Sequence, residues 1–270
     1  MSEKTRLGGM ALANGVLVHG PRYWACAVRT RDGRLEVASG EKTLRASEVS
    51  SDLLRGPARV VEVFALFPAV RRRLPEAKLP FQRPRVAIAM FGTAFASRAI
   101  RASRLRPGVQ EALAALVALA PAALALRGSS LAEYHGAEHI SIGSYEHGER
   151  RPREHERCGS HVVGPLLVTT AAGSTLARLA PAGVRPLARA GALIGALAGA
   201  TRVFAWMQEN EGHPLARALA RPGHELQHRF VTAEPTAEQL EVANAALAEC
   251  LRLESGEDGG RGTEQEAPPT

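Results

Sequence analysis

The stretch His161–Ala177, HVVGPLLVTTAAGSTLA, contains no Asp, Glu, Lys or Arg. Whether it is a buried helix of a soluble bundle or a membrane helix decides how the rest of the chain is read. It falls just short of the ~18 uncharged residues that mark a spanning helix. Three other runs share its character. They are VAIAMFGTAFAS at 86–97, ALAALVALAPAALAL at 112–126 and AGALIGALAGAT at 190–201. Arg98, Arg101, Arg189 and Arg202 stand at or near their ends, where long side chains can snorkel to water. Gly191, Gly195 and Gly199 recur every fourth residue and would open a flat face for a second helix, in this chain or in a second copy. Alanine-rich helices of a soluble bundle carry the same pattern, so the runs alone fit both readings.

Working outward, the chain divides by composition into three parts. Residues 1–50 read as a β-rich N-terminal portion. Residues 51–253 read as a helical, membrane-type region, and 254–270, polar and glycine-rich, as a disordered tail. The fold expected is mainly α, with a small β portion, then alanine-rich helices, then a C-terminal amphipathic helix. In RYWACAVRT, Trp24, Cys26 and Val28 alternate with Tyr23, Ala25 and Ala27, which is strand periodicity. RDGR at 31–34 is a hairpin turn, because glycine accepts positive φ. The region 45–80 is mixed, with Arg71, Arg72 and Arg73 clustered among prolines. Gly8, Gly9 and Gly15 serve turns or close backbone packing. PTAEQLEVANAALAECL opens with Thr236 and Gln239 at capping-box spacing. Leu240, Ala243, Leu247 and Leu251 then form one helical stripe.

The net charge of +7 comes almost wholly from arginine; Lys4, Lys42 and Lys78 are the only lysines. Such a charge suits nucleic acid or an anionic membrane surface. The arginines are widely spread with no basic, aromatic-interleaved strip, so membrane lipid is the expected partner and nucleic acid is not. No glycine loop for phosphate is present. Cys26, Cys158 and Cys250 are odd in number and far apart, which points to a reducing compartment. The N-terminus lacks the apolar core of a signal peptide.

The chemistry concentrates in YHGAEHISIGSYEHGERRPREHERCG, Tyr134–Gly159. His135, Glu138 and His139 form HxxEH. On a helix the two histidines share a face and can grip one ion, with Glu138 beside them as general base. Glu146, His155 and Cys158 supply further ligands. Nitrogen and sulfur donors select Zn2+. His147 and His161 are spare donors, solvated or in an outer shell. His135, His139, His155 and Cys158 would also make a closed structural set, whereas a catalytic site keeps one position open. His224 and His228, four apart, lack a third ligand nearby.

Together with RLGGMALANGVLVHGPRYWACAVRTRDG at 6–33 and HRFVTAEPTAEQLEVANAAL at 228–247, these motifs resemble the YqhQ-like family. It is a bacterial family of unknown function, and the resemblance spans about residues 6–252. It implies a multi-pass inner-membrane protein with a metal-dependent activity, and no substrate. The chain departs from the family pattern at Ile140, where lysine is usual, and at Glu156, where proline is usual. Two functions follow. One is a zinc-dependent hydrolase with Glu138 as base. The other is a non-catalytic membrane scaffold or assembly factor held by structural zinc.

Overall fold

The computed structural model of the chain describes residues 4–79, 84–118, 120–126 and 129–256. Four strands open the fold: β1 (Gly8–Leu12), β2 (Gly15–His19), β3 (Tyr23–Arg29) and β4 (Leu35–Glu41). They form an antiparallel meander in sequence order. Gly33 turns the β3–β4 hairpin at a φ of 82°. Gly8 and Gly9, expected in turns or in close backbone packing, lie in β1 and pair with His19 and Val18, and Gly9 backs closely on Glu138.

The sheet is covered on both faces. Strand alternation sends Trp24, Cys26 and Val28 to one side, where they meet Leu66, Phe67 and Val70 and the segment 74–79. Ala25 and Ala27 go to the other side, with Val16, Val18, Ala137, Ile142, Val242 and Ala246. Burying each large apolar side chain contributes about 1.5–3 kcal/mol. The four strands therefore share both cores with helices from the following segment.

One covering helix is α1 (Asp52–Arg73), which occupies much of the region that reads as mixed in sequence. It carries Pro57 and Pro68 internally. The contacts of Leu66, Phe67 and Val70 against the sheet offset the backbone bonds these prolines remove. Then follow α2 (Pro84–Ala102), α3 (Pro107–Ala118) and α4 (Ala120–Leu126). Next come α5 (Ser130–His147), α6 (Val163–Leu179), α7 (Arg185–Glu209), α8 (Pro214–Leu226) and α9 (Ala237–Glu254). α9 begins with the expected capping box: Thr236 Oγ1 accepts from Gln239 N, and Gln239 Oε1 accepts from Thr236 N. Its stripe packs on β2 and β3.

Among the described residues, three segments are long and apolar enough to cross a membrane: Gly108–Leu126, Gly159–Leu179 and Arg185–Glu209. Only 29%, 11% and 22% of their apolar windows are buried within the molecule, and Val168, Leu176, Leu187, Leu193 and Ile194 are exposed. α2 is not among the three. It nevertheless exposes Ile88, Met90, Phe91 and Phe95. Helix packing is close where residues are small. Thr169 Oγ1 donates to Ala196 O at 2.8 Å, and Gly173 lies against Ala192. Gly56 of α1 abuts Thr201 of α7. Gly199 meets Thr169, while Gly191 and Gly195 face open space. At one end of the bundle, Glu111 is buried between Arg101 and Arg178, at 3.1 and 2.8 Å. The segment 130–160 joins the opposite ends, after α4 and before α6.

The disordered tail expected from Glu254 does not include that residue. Glu254 ends α9, and its carboxylate accepts from Arg22 N and Tyr23 N, both at 2.7 Å. Residues 257–270 lie outside the described residues.

Candidate metal centre

α5 is buried around most of its circumference, including Glu138 and His139. Gly148 ends it in the left-handed conformation, at a φ of 77°, and turns the chain into the loop that carries His155 and Cys158. Three glycines let neighbouring backbone approach the helix. A side chain at Gly9 of β1 would collide with the Glu138 carboxylate, and one at Gly136 with Ala233 O. Gly143 leaves room for Arg151 and the ring of His155.

HxxEH is helical, and its two rings lie 4.3 Å apart between centroids. Each histidine is anchored through Nδ1 to a backbone carbonyl: His135 to Val231 O at 2.8 Å, His139 to Arg153 O at 2.6 Å. A carbonyl only accepts, so both Nδ1 atoms carry the proton. Each Nε2 is then left with its lone pair, the tautomer of a metal ligand. Burial, followed by the neighbouring His135, drives the His139 pKa well below its ordinary value and keeps this ring neutral.

The two Nε2 atoms converge with Cys158 Sγ. All three ligand atoms lie within 4.8 Å of one another, and Cys158 Sγ is 3.7 Å from His135 Nε2. Zinc bonds of ~2.0–2.1 Å to nitrogen and ~2.3 Å to sulfur put tetrahedral N and S about 3.6 Å apart. The donor set therefore fits Zn2+ in type and spacing. Burial raises the Cys158 thiol pKa, against the hydrogen bonds of Ser160. An ion there would be needed to hold it as thiolate.

Glu138 Oε2 stands 3.8 Å from His135 Nε2 and 3.9 Å from His139 Nε2, beside the ligand atoms. Its pKa is raised, first by burial; His135 and His155 oppose this and Glu146 adds to it.

The other two expected ligands face each other. His155 Nε2 lies 2.9 Å from Glu146 Oε2, and Arg157 Nη1 donates to Glu146 Oε1 at 2.8 Å. Burial opposes charge on both, but their pairing prevails: the His155 pKa is raised and that of Glu146 lowered. The His155 ring remains 5.5 Å from that of His139. His147 is exposed; His161 is buried, with Nδ1 3.3 Å from Gln227 Nε2. His224 and His228 stack at 6.4 Å, and His228 pairs with Glu154.

Gln227 has no counterpart among the residues singled out by sequence. It is fully buried and holds the backbone of His155. It opens a π-helical turn, Gln227–Val231, which delivers Val231 O to His135. Such turns occur often at functional sites. The only sequence hint is a polar side chain within HELQHRF, where the histidines draw attention first.

Residues 127–253, just under half of the chain, match a family described as protein of unknown function, DUF1385. No curated protein and no solved structure matches the chain.

Proposed function

We propose that the protein is a zinc-dependent hydrolase of a bacterial inner membrane, a multi-pass protein of the YqhQ-like type, working at the membrane surface. One observation carries the reading: two imidazoles and a thiol, His135, His139 and Cys158, converge while a buried carboxylate, Glu138, stands beside two of them. Three protein ligands leave a fourth position open, as catalytic zinc requires. Bound there, Zn2+ would act as a Lewis acid toward water and toward a carbonyl or phosphoryl oxygen. Glu138, whose burial makes it a stronger base than an exposed carboxylate, takes the proton of the attacking water. His155, whose pKa is raised by its pairing with Glu146, is the neighbouring imidazole that would supply a proton to the leaving group. The apolar segments at either side of 130–160, mostly unburied within the protein, support the membrane setting. The open Gly191 and Gly195 face is the surface such a protein would use to pair with a second copy.

A structural clasp is the second reading, favoured by one feature. The three donors tie α5 to the 150–160 loop, and their anchors tie both to Val231. Glu138→Gln separates the two. The amide is nearly isosteric but accepts no proton. The variant is expected to keep about one zinc per chain by elemental analysis and to lose complementation of a deletion strain. Full complementation would overturn the hydrolase reading and leave the clasp. The membrane setting is tested separately: the protein should stay with membranes through high-salt and alkaline washes.

A further inference from the structure

Next to the candidate metal centre lies a cavity of about 720 Å3, walled by the loop 152–161, the end of α7 and α8. That volume is within the range of small-molecule sites, roughly 300–1,000 Å3. His155 is part of its wall, so the cavity reaches the side chain that stands beside His139. Its apolar lining includes Met207, Pro214, Ala216 and Ala220.

Two cations line it from α8. Arg217 and Arg221 are four residues apart and so share one helix face. Both are exposed, and neither side chain has an ion pair or hydrogen bond among the described residues. The acidic residues of the lining are mostly engaged elsewhere. Glu154 pairs with Arg153 and His228, and Glu156 with Arg151. Glu211, exposed, is the remaining carboxylate, so two arginines face one acid.

α8 itself is strongly amphipathic and follows directly on the end of α7, a segment long enough to span. Leu215 at its start and Phe230 just beyond its end are exposed. An amphipathic, arginine-bearing helix at the end of apolar spans lies in the headgroup layer. An arginine guanidinium pairs with phosphate oxygens in a two-pronged geometry.

We propose that this cavity binds a phosphate-headed anionic lipid, with the headgroup on Arg217 and Arg221 and part of the chain along Met207, Ala216 and Ala220. Where the zinc-hydrolase reading holds, this lipid is its substrate class, presented from the membrane to the side of the site where His155 stands.

Trp206 supplies the probe, since the only other tryptophan, Trp24, is buried in the sheet core. Purified full-length protein in neutral detergent is titrated with brominated phosphatidylglycerol or brominated phosphatidylcholine, and quenching of Trp206 is followed. Phosphatidylglycerol is expected to bind at least tenfold more tightly. The double change Arg217→Gln with Arg221→Gln should abolish that preference. Ala218→Trp, at an exposed position of the lining, should block the cavity. Its binding is read by competition with a spin-labelled phosphatidylglycerol, because it adds a tryptophan. Inorganic phosphate should compete poorly. Equal affinity for the two lipids, a preference that survives the double change, or displacement by phosphate as effective as by lipid would each overturn the proposal. Zinc content measured on the same samples tells its failure apart from failure of the metal reading. Cys158→Ser should lose zinc and still bind lipid.

Discussion

The side-chain amide of Gln227 grips the backbone of His155 at both ends: Oε1 accepts from His155 N at 2.7 Å, and Nε2 donates to His155 O at 3.1 Å. The same Nε2 reaches Ser160 Oγ at 2.9 Å. One buried side chain thus fixes the loop between His155 and the start of α6. Leucine at this position would fill similar space and leave His155 N without its partner, while His155 O would keep Cys158 N and Ser160 Oγ would keep Gly223 O. Unsatisfied buried groups cost about 1–3 kcal/mol each. Gln227→Leu is therefore expected to destabilise the protein by about 1–3 kcal/mol and to weaken zinc binding, as loss of supporting contacts typically does by 10–100-fold. Thermal unfolding in detergent and a zinc-chelator competition measure the two effects. An unchanged zinc affinity would mean that Gln227 serves the fold alone.

Gly9 and Glu138 meet across the β1–α5 contact. Because a side chain at Gly9 would collide with the carboxylate, Gly9→Ala should cost about 1–3 kcal/mol. The collision is with one identifiable group. Shortening that group should restore much of the loss, so Gly9→Ala combined with Glu138→Ala should be markedly non-additive. Additive effects in a double-mutant cycle would show that β1 shifts instead.

His19 lies in a buried cluster far in sequence from the metal segment. Its Nδ1 is 3.7 Å from Glu62 Oε1, and Glu62 also pairs with Lys42 and accepts from Ala46 N at 2.5 Å. Burial, then the charge of Lys42, lowers the His19 pKa to about 4. Above pH ~6.5 the ring is neutral in both folded and unfolded chains, and its contribution is full. Between ~6.5 and about 4 the unfolded chain takes up a proton that the folded one refuses. Stability should fall as pH falls through this window, by up to about 3 kcal/mol, with no further loss from this group below it. His19→Gln should flatten the slope in thermal unfolding measured from pH 7 to pH 4. An unchanged slope would assign it to other groups.

How much of this was legible in the sequence depends on the range of the interaction. Trp24, Cys26 and Val28 could be assigned to one face because strand alternation is local. Thr236 and Gln239 could be assigned to a cap because three residues separate them. His135 and His139 share a face for the same reason. The β1 strand was obscured by its glycines, one of which, Gly9, backs on Glu138, more than a hundred residues away. α1 was obscured by its two prolines and its arginines, since burial against the sheet outweighs local propensity there. The partners of Nδ1 in both histidines are backbone carbonyls, which carry no sequence signature. The choice of His155 between metal and Glu146 turns on ring placement after folding, which spacing alone does not encode.

That choice gives the last prediction. Spacing offers four donors, His135, His139, His155 and Cys158, while the folded chain brings three of them together and pairs the fourth with Glu146. If zinc rests on three protein ligands, Cys158→Ser should lose most of its zinc, because a serine hydroxyl is a far poorer ligand than a thiolate. His155→Gln should keep about one zinc per chain, since no ligand is removed. It should also free Glu146, leaving it with Arg157 alone. Activity should fall in both variants, but for different reasons: one lacks the ion, the other a proton beside it. Elemental analysis of the two purified proteins decides the matter. Zinc lost from His155→Gln to the same degree as from Cys158→Ser would mean that the ion draws His155 away from Glu146 and closes a four-ligand shell. That would favour the clasp over the catalyst, because a closed shell leaves no position for a reacting group.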